Sequence, residues 1–341
     1  VSSELSSVNS PARAAAVEPW KRELAAAIRD PFELCRSLGL PRERAEEAAG
    51  AAGSFPLLVP RGFAARMRRG DPDDPLLAQV LPRRAELSRS AGFVPDPLGE
   101  RERIASPGLV RKYAGRALVL ATAACAVNCR YCFRREFPYA EAGATRRGLD
   151  EAVRAIEASA DIHEAILSGG DPLLLDDDGI GGLLARLGRI PHLRRIRIHS
   201  RLPIVLPERV TERLVESLAT SPRACVVVVH ANHPAELDAS VATAVRRLAS
   251  SGAMLLNQAV LLAGVNDSVE SLGELSERLV DLGVVPYYLH LLDRVSGTSH
   301  FEVSESRAVE LYRRLRDHLP GYAVPRLVRE VPGEPAKVWL G

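Results

Sequence analysis

The sequence predicts an α/β protein whose main body is a partial (β/α)6 barrel of parallel strands. Three observations predict it. Short apolar runs alternate with amphipathic stretches from about Arg116 onward. The apolar runs are nearly continuous, as expected of strands buried on both faces. The stretches between them repeat apolar residues at helical spacing. Strand–helix alternation of this kind makes a parallel sheet with helical crossovers. Six units are too few for a closed eight-stranded barrel, although an open doubly wound sheet would share the alternation.

Residues 1–105 read as an N-terminal, mainly helical region. PWKRELAAAIRD, PFELCRSLG and PRERAEEAAGAA carry apolar residues at helical spacing, broken by proline and glycine. No motif in this region carries chemistry. Its first residues, VSSELSSVNSPARAAAVEPW, lack the basic start and apolar core of a signal peptide. The barrel is expected over 106–325. Its strands are RALVLAT (116–122), EAILSG (164–169), RIRIHS (195–200), CVVVVHA (225–231), LLNQAVLL (255–262) and VPYYLHLL (285–292). Helices are expected near 148–160, 178–188, 207–220, 236–250, 269–282 and 304–318, and residues 326–341 as a loop and tail. In either architecture the chemistry belongs at the C-terminal ends of the strands. The reactive residue types fall there: the cysteines after the first strand, Ser168–Asp171 after the second, His199-Ser200-Arg201 after the third, His230 after the fourth and Asp293 after the sixth.

Composition narrows the class. Of 341 residues, 46% are hydrophobic and 26% charged, as in a folded globular protein. The formal charge of +2 makes no case for nucleic acid or membrane partners. No apolar run is long enough to span a bilayer, so a cytoplasmic location is expected. Five cysteines are present, and three of them crowd into eight residues, which is not a disulfide framework. Cys35 and Cys225 read as small buried hydrophobes. Among 45 basic residues only Lys21, Lys112 and Lys337 are lysine. A reaction that needs a primary amine therefore has three candidates.

The cysteine loop reads Cys125-Ala-Val-Asn-Cys129-Arg-Tyr-Cys132-Phe-Arg134-Arg135. Thiolates suit iron–sulfur clusters or zinc. An electron-transferring cubane normally uses four cysteines. Three together with no fourth nearby leave one iron of a [4Fe–4S] cluster open to a further ligand. A Cys3His zinc site completed by His199, His230 or His233 is the rival.

The C-x3-C-x2-C spacing, with an aromatic residue before the last cysteine and after the first strand of a (β/α) domain, resembles the radical S-adenosylmethionine (SAM) superfamily. That resemblance implies a [4Fe–4S] cluster on Cys125, Cys129 and Cys132 and an external electron donor. It also implies a glycine-rich SAM-binding segment, Ser168-Gly169-Gly170-Asp171. The order of CRYCFRR, SGGDPLLL, HSRLPIVLPERV, HANHPAEL, NQAVLLAGVND and PYYLHLLD resembles the lysine 2,3-aminomutase family from about residue 105 to the end. Most similar are its short members, which supply β-lysine for modification of elongation factor P. The N-terminal PW…LA..I.DP segment and the Pro-Gly-Glu-Pro-x-Lys ending are shared with them.

The family resemblance implies pyridoxal 5′-phosphate (PLP) held as a Schiff base on Lys337, since arginine cannot supply the amine. Lys112, Tyr113 and Arg116 match its phosphate contacts, whereas Lys21 reads as a solvated helix face. Arg134 matches the residue on the substrate carboxylate, and its fork suits that task. Asp293 and Glu330 match the residues on the distal ammonium of L-lysine, although many members carry aspartate where Glu330 stands. His230 and Gln258 match residues lining the SAM site. The implied reaction is conversion of L-α-lysine to (R)-β-lysine by an isomerase, through hydrogen abstraction by a deoxyadenosyl radical. The structural zinc of longer members, bound in a C-terminal extension, is not expected. The alternatives are an aminomutase for arginine or glutamate, or a non-catalytic iron–sulfur or zinc protein. Two carboxylates facing a third argue against glutamate.

Overall fold

The computed structural model describes residues 18–53 and 55–341. The segment read for a secretion signal lies largely outside the described residues. Five short helices come first: α1 (Pro19–Ala25), α2 (Pro31–Leu38), α3 (Arg42–Ala51), α4 (Arg61–Ala64) and α5 (Pro75–Ala78). Ten strands follow: β1 (Ile104–Ser106), β2 (Leu109–Tyr113), β3 (Arg116–Thr122), β4 (Glu164–Gly169), β5 (Arg195–Ser200), β6 (Ala224–Val229), β7 (Met254–Val260), β8 (Val285–His290), β9 (Arg326–Arg329) and β10 (Val338–Trp339). They form one sheet in chain order. Strands β3 to β9 run parallel, while β1, β2 and β10 are antiparallel to their neighbours.

That order decides between the two architectures. A doubly wound sheet reverses its strand order at a switch point, which sends crossovers to both faces. Here the order never reverses. Right-handed crossovers then all lie on one face and the sheet curls around the other. The crossover helices are α6 (Arg146–Glu157), α7 (Asp177–Gly188), the short α8 (Leu202–Val205) with α9 (Glu212–Ala219), α10 (Ala239–Ser250), α11 (Val269–Asp281) and α12 (Glu305–His318). The six longer ones each start on a cap whose side chain accepts a backbone N–H, from Thr145, Asp176, Thr211, Asp238, Ser268 and Ser304 in turn. Alternate strand residues such as Val119, Leu167, Ile196, Val227, Leu255 and Leu289 pack beneath Ile156, Leu187, Leu214, Leu248, Leu279 and Leu315 of the helices. The opposite residues of the same strands, among them Ile166, Arg197, His199 and Gln258, line a cavity. No helix among the described residues is long and apolar enough to cross a membrane.

Two expectations are corrected. The expected tail contains a seventh parallel strand, β9, paired with β8 through Leu289↔Leu327. The sheet also begins before the expected barrel, because Ile104 pairs with Val110. Four residues beside a proline are too short to show periodicity, so β9 has no strand signal in the sequence.

Candidate active site

One cavity of about 650 Å³ is walled by the concave face of the sheet and capped by the cysteine loop, the β2–β3 hairpin and the β9–β10 segment. Cys125, Cys129 and Cys132 all line it, and all are free thiols. Their loop is tied to the N-terminal region. The Asn128 amide donates to the Leu58 carbonyl (3.1 Å) and its Nδ2 to the Pro56 carbonyl (2.9 Å). The Arg130 amide donates to the Gln79 carbonyl (2.8 Å). Buried Glu86 accepts from Arg130 Nε (2.9 Å), again from Arg130 Nη2, and from Arg135 Nη2 (2.8 Å). Behind the loop, Arg201 donates Nη1 to Cys129 Sγ (2.7 Å), and its Nη2 reaches Gln79 Oε1 (2.7 Å) and Glu236 Oε2 (3.1 Å).

Burial, then repulsion from Cys129, pushes the Cys132 thiol up to about 11. Cys125 is driven well up by burial, then by Cys132 and Asp171. Sulfurs in this setting need positive charge to ionise, which the irons of a cluster would supply. Among the described residues no three His, Cys, Asp or Glu side chains converge tightly enough to grip one metal ion. A cluster takes its thiolates on separate irons, so the three sulfurs need not converge on one point. The three cysteines fit a cluster on that ground.

The glycines after β4 are there for close packing. The Gly170 amide donates to the Thr122 carbonyl (2.7 Å), and the Asp171 amide to that of Ala124 (2.8 Å). A Cβ on Gly170 would strike the Ala124 carbonyl, and Gly169 sits at φ +117°, which favours glycine. The segment therefore locks the start of the cysteine loop against β4. The Gly169 carbonyl accepts from Tyr139 Oη (2.7 Å). Asp171 lines the cavity but spends its carboxylate on the fold. It accepts from Ser200 Oγ (2.8 Å) and from the amides of Arg201 (2.8 Å), Leu202 (3.3 Å) and Leu173 (3.1 Å).

At the other end lies Lys337. Strand β10 pairs back on β9, with Val338 opposite Arg329, so Lys337 lines the cavity instead of trailing into solvent. Its Nζ donates to Glu330 Oε2 (2.5 Å), and the other Glu330 oxygen takes Lys112 Nζ. Lys112 also reaches Glu100 Oε1 (3.4 Å). Glu100 in turn accepts both Nε (2.6 Å) and Nη2 (2.9 Å) of Arg134, whose Nη1 donates to Ser168 Oγ (3.0 Å). Charges thus alternate from the glycine segment to Lys337. Burial pushes Glu330 up, but Lys337 and Lys112 more than offset it and hold the carboxyl well below its usual range. Asp293 faces the same cavity; burial, then repulsion from Glu330, pushes it up to about 7. On the hairpin, the Arg116 guanidinium lies 4.8 Å from the Tyr113 ring centre, and both line the cavity.

The structure gathers every sequence-predicted site residue onto this one cavity. It gives Arg134 and Glu330 protein partners that the sequence did not suggest. His199 Nδ1 lies 3.3 Å from His230 Nε2; burial pushes His230 down to about 4, and burial, then His230, pushes His199 well down too. Sequence reasoning missed Gln79, Glu86 and Glu100 in a region that showed no motif, and the buried His290, whose Nε2 has no partner among the described residues. A lone acid in an irregular stretch has no periodic signature.

Residues 119–253 match the radical SAM superfamily. The chain is 47% identical over 334 residues to the L-lysine 2,3-aminomutase of Escherichia coli, covering 98% of this chain and 96% of that one. It is 44% identical to the protein of the same name from Haemophilus influenzae, over 93% of this chain and 94% of that one. The Buchnera aphidicola L-lysine 2,3-aminomutase is 43% identical, over 95% of each.

Proposed function

The chain belongs to the lysine 2,3-aminomutase family of radical SAM enzymes, and from that premise we propose that it isomerises L-lysine to (R)-β-lysine with a [4Fe–4S] cluster, SAM and PLP. The observation that carries the reading is the single cavity with three thiols at one end and a half-buried lysine amine at the other. Between them stand a guanidinium, Arg134, and two acids, Asp293 and Glu330.

Cys125, Cys129 and Cys132 would hold the cluster, and Ser168 with the Gly169–Gly170 backbone would line the SAM site beside His230 and Gln258. Lys337 supplies the primary amine that PLP requires. Lys112, Tyr113 and Arg116 offer two cations and a phenol to its phosphate. When bound, these groups supply a reducing electron, a carbon-centred radical and an electron sink for the migrating nitrogen. The chain's own part is placement and shielding. Arg134 offers N–H donors to the substrate carboxylate. Asp293 and Glu330 offer negative charge to the distal ammonium, a compact ion that fits between two acids. Tyr287, Tyr288, His290 and Leu118 complete the cavity wall.

The product is assigned to β-lysylation of elongation factor P, on the resemblance to the short family members. The test is anaerobic incubation of the reconstituted protein with L-lysine, SAM and a reductant, followed by chromatographic identification of the product. β-Lysine is expected, with turnover of L-glutamate and L-arginine well below that of L-lysine. A protein with full iron and PLP that forms no β-lysine, or that turns over glutamate equally, overturns the reading.

A further inference from the structure

Glu100 lies just before β1, in the region the sequence left without chemistry. It is 2% exposed and yet lines the cavity. Its turn is set by Asp96, which accepts the amides of Glu100 (3.0 Å) and Arg101 (3.1 Å). We propose that Glu100 is the positioning residue that sets Arg134 and Lys112 relative to each other, so that an amino-acid carboxylate and a cofactor phosphate are received at a fixed spacing. The proposal rests on the functional reading above and names the residue that organises its two anion sites.

The geometry of Arg134 carries it. A guanidinium has five N–H donors. Glu100 takes Nε and Nη2, the side edge, and Ser168 takes one N–H of Nη1. One N–H on each Nη remains without a protein partner, and these can donate to a carboxylate. The guanidinium carbon also lies over the rings of Phe133 at 4.9 Å and Phe137 at 5.9 Å. Arg134 is thus held through three of its five N–H groups and keeps two for an anion. Glu100 Oε1, which accepts Arg134 Nη2, also accepts Lys112 Nζ (3.4 Å), one of the cations assigned to the phosphate. Burial pushes the Glu100 carboxyl up, and Arg134 and Lys112 more than offset this and keep it ionised. A neutral group in its place would leave both cations buried without their shared partner.

The experiment uses the full chain, anaerobically reconstituted, with Glu100→Gln. KM and kcat are measured for L-lysine. L-Lysinamide, which lacks the carboxylate, is measured as an inhibitor. PLP and pyridoxal, which lacks the phosphate, are compared as ligands by absorbance titration. The expected result is a KM for L-lysine raised by roughly 10- to 100-fold, the span of a hydrogen bond to a charged group. Inhibition by L-lysinamide should be nearly unchanged, and the preference for PLP over pyridoxal should narrow. Equal losses for lysine and lysinamide, or an unchanged KM with an unchanged phosphate preference, overturn the proposal and leave Glu100 as part of the wall. Should Glu100→Gln fail to fold, Glu100→Asp takes its place, with the same two discriminations read in the same way. If the unmodified protein makes no β-lysine, the functional reading fails. If it does, and the variant keeps its discriminations, only the role of Glu100 fails.

Discussion

The two ends of the cavity are held in different ways. At the cysteine end the groups that fix the loop lie outside the cavity lining. Glu86, Gln79 and the Pro56 and Leu58 carbonyls grip Arg130, Arg135, Arg201 and Asn128. At the lysine end the fixing bonds lie inside the cavity. Lys337, Glu330, Lys112 and Glu100 hold one another, and all four line the space a ligand would take. A group meant to stay needs walls set before it arrives, whereas molecules that come and go need partners that can be exchanged. The cysteine end suits a resident cluster, and the lysine end suits a cofactor and substrate that replace internal ion pairs.

The strongest way to break this comparison is to cut the outer tie. Glu86→Ala leaves the buried Arg130 and Arg135 charges without their carboxylate, a loss of about 3–5 kcal/mol. Urea unfolding should show that loss, and iron should be poorly retained although all three cysteines remain. Cys129→Ala should lose the iron with a smaller change in stability, and Cys35→Ala and Cys225→Ala should keep it. A stable, iron-replete Glu86→Ala protein would show that the N-terminal region does not hold the loop.

Lys337→Ala cuts the exchangeable end instead. Iron content should be normal, while borohydride reduction followed by peptide mapping should find no pyridoxyl group. Lys337→Arg should behave the same way, because charge without a primary amine is insufficient. A pyridoxyl group mapped to Lys112 or Lys21 in the unmodified protein would assign the wrong end of the charge chain to the cofactor.

Asp293 gives the smallest effect and the sharpest one. Asp293→Asn should weaken lysine binding by about 1.5–3 kcal/mol, the range for a hydrogen bond to a charged group. Its carboxyl is raised to about 7 by burial and by Glu330. Only the ionised form attracts an ammonium, so lysine affinity should rise from roughly pH 6 to pH 8 and then level. The Asn variant should be flat over that window. The contribution to folding runs the other way. A carboxyl raised in the folded state favours the fold fully below its unfolded pKa of about 3.9 and loses that contribution as pH climbs to about 7. Equal pH profiles for the two proteins would remove Asp293 from ammonium recognition.

Much of this was legible in the sequence. The six strands read from apolar runs match β3 to β8 within a few residues at each end, because a strand buried on both faces must be apolar along its length. The cysteine spacing, the glycines after β4 and the one lysine set in a Pro/Gly-rich loop marked the cavity's contents before its shape was known. The tertiary structure alone decided that the sheet curls instead of winding doubly, since strand order is a property of pairing. It alone brought Glu86 to Arg130 and Glu100 to Arg134, pairs 44 and 34 residues apart. A period of 2 or 3.6 records which face of one element is buried. It carries no trace of which distant charge a buried acid will meet, because that meeting depends on how whole elements pack.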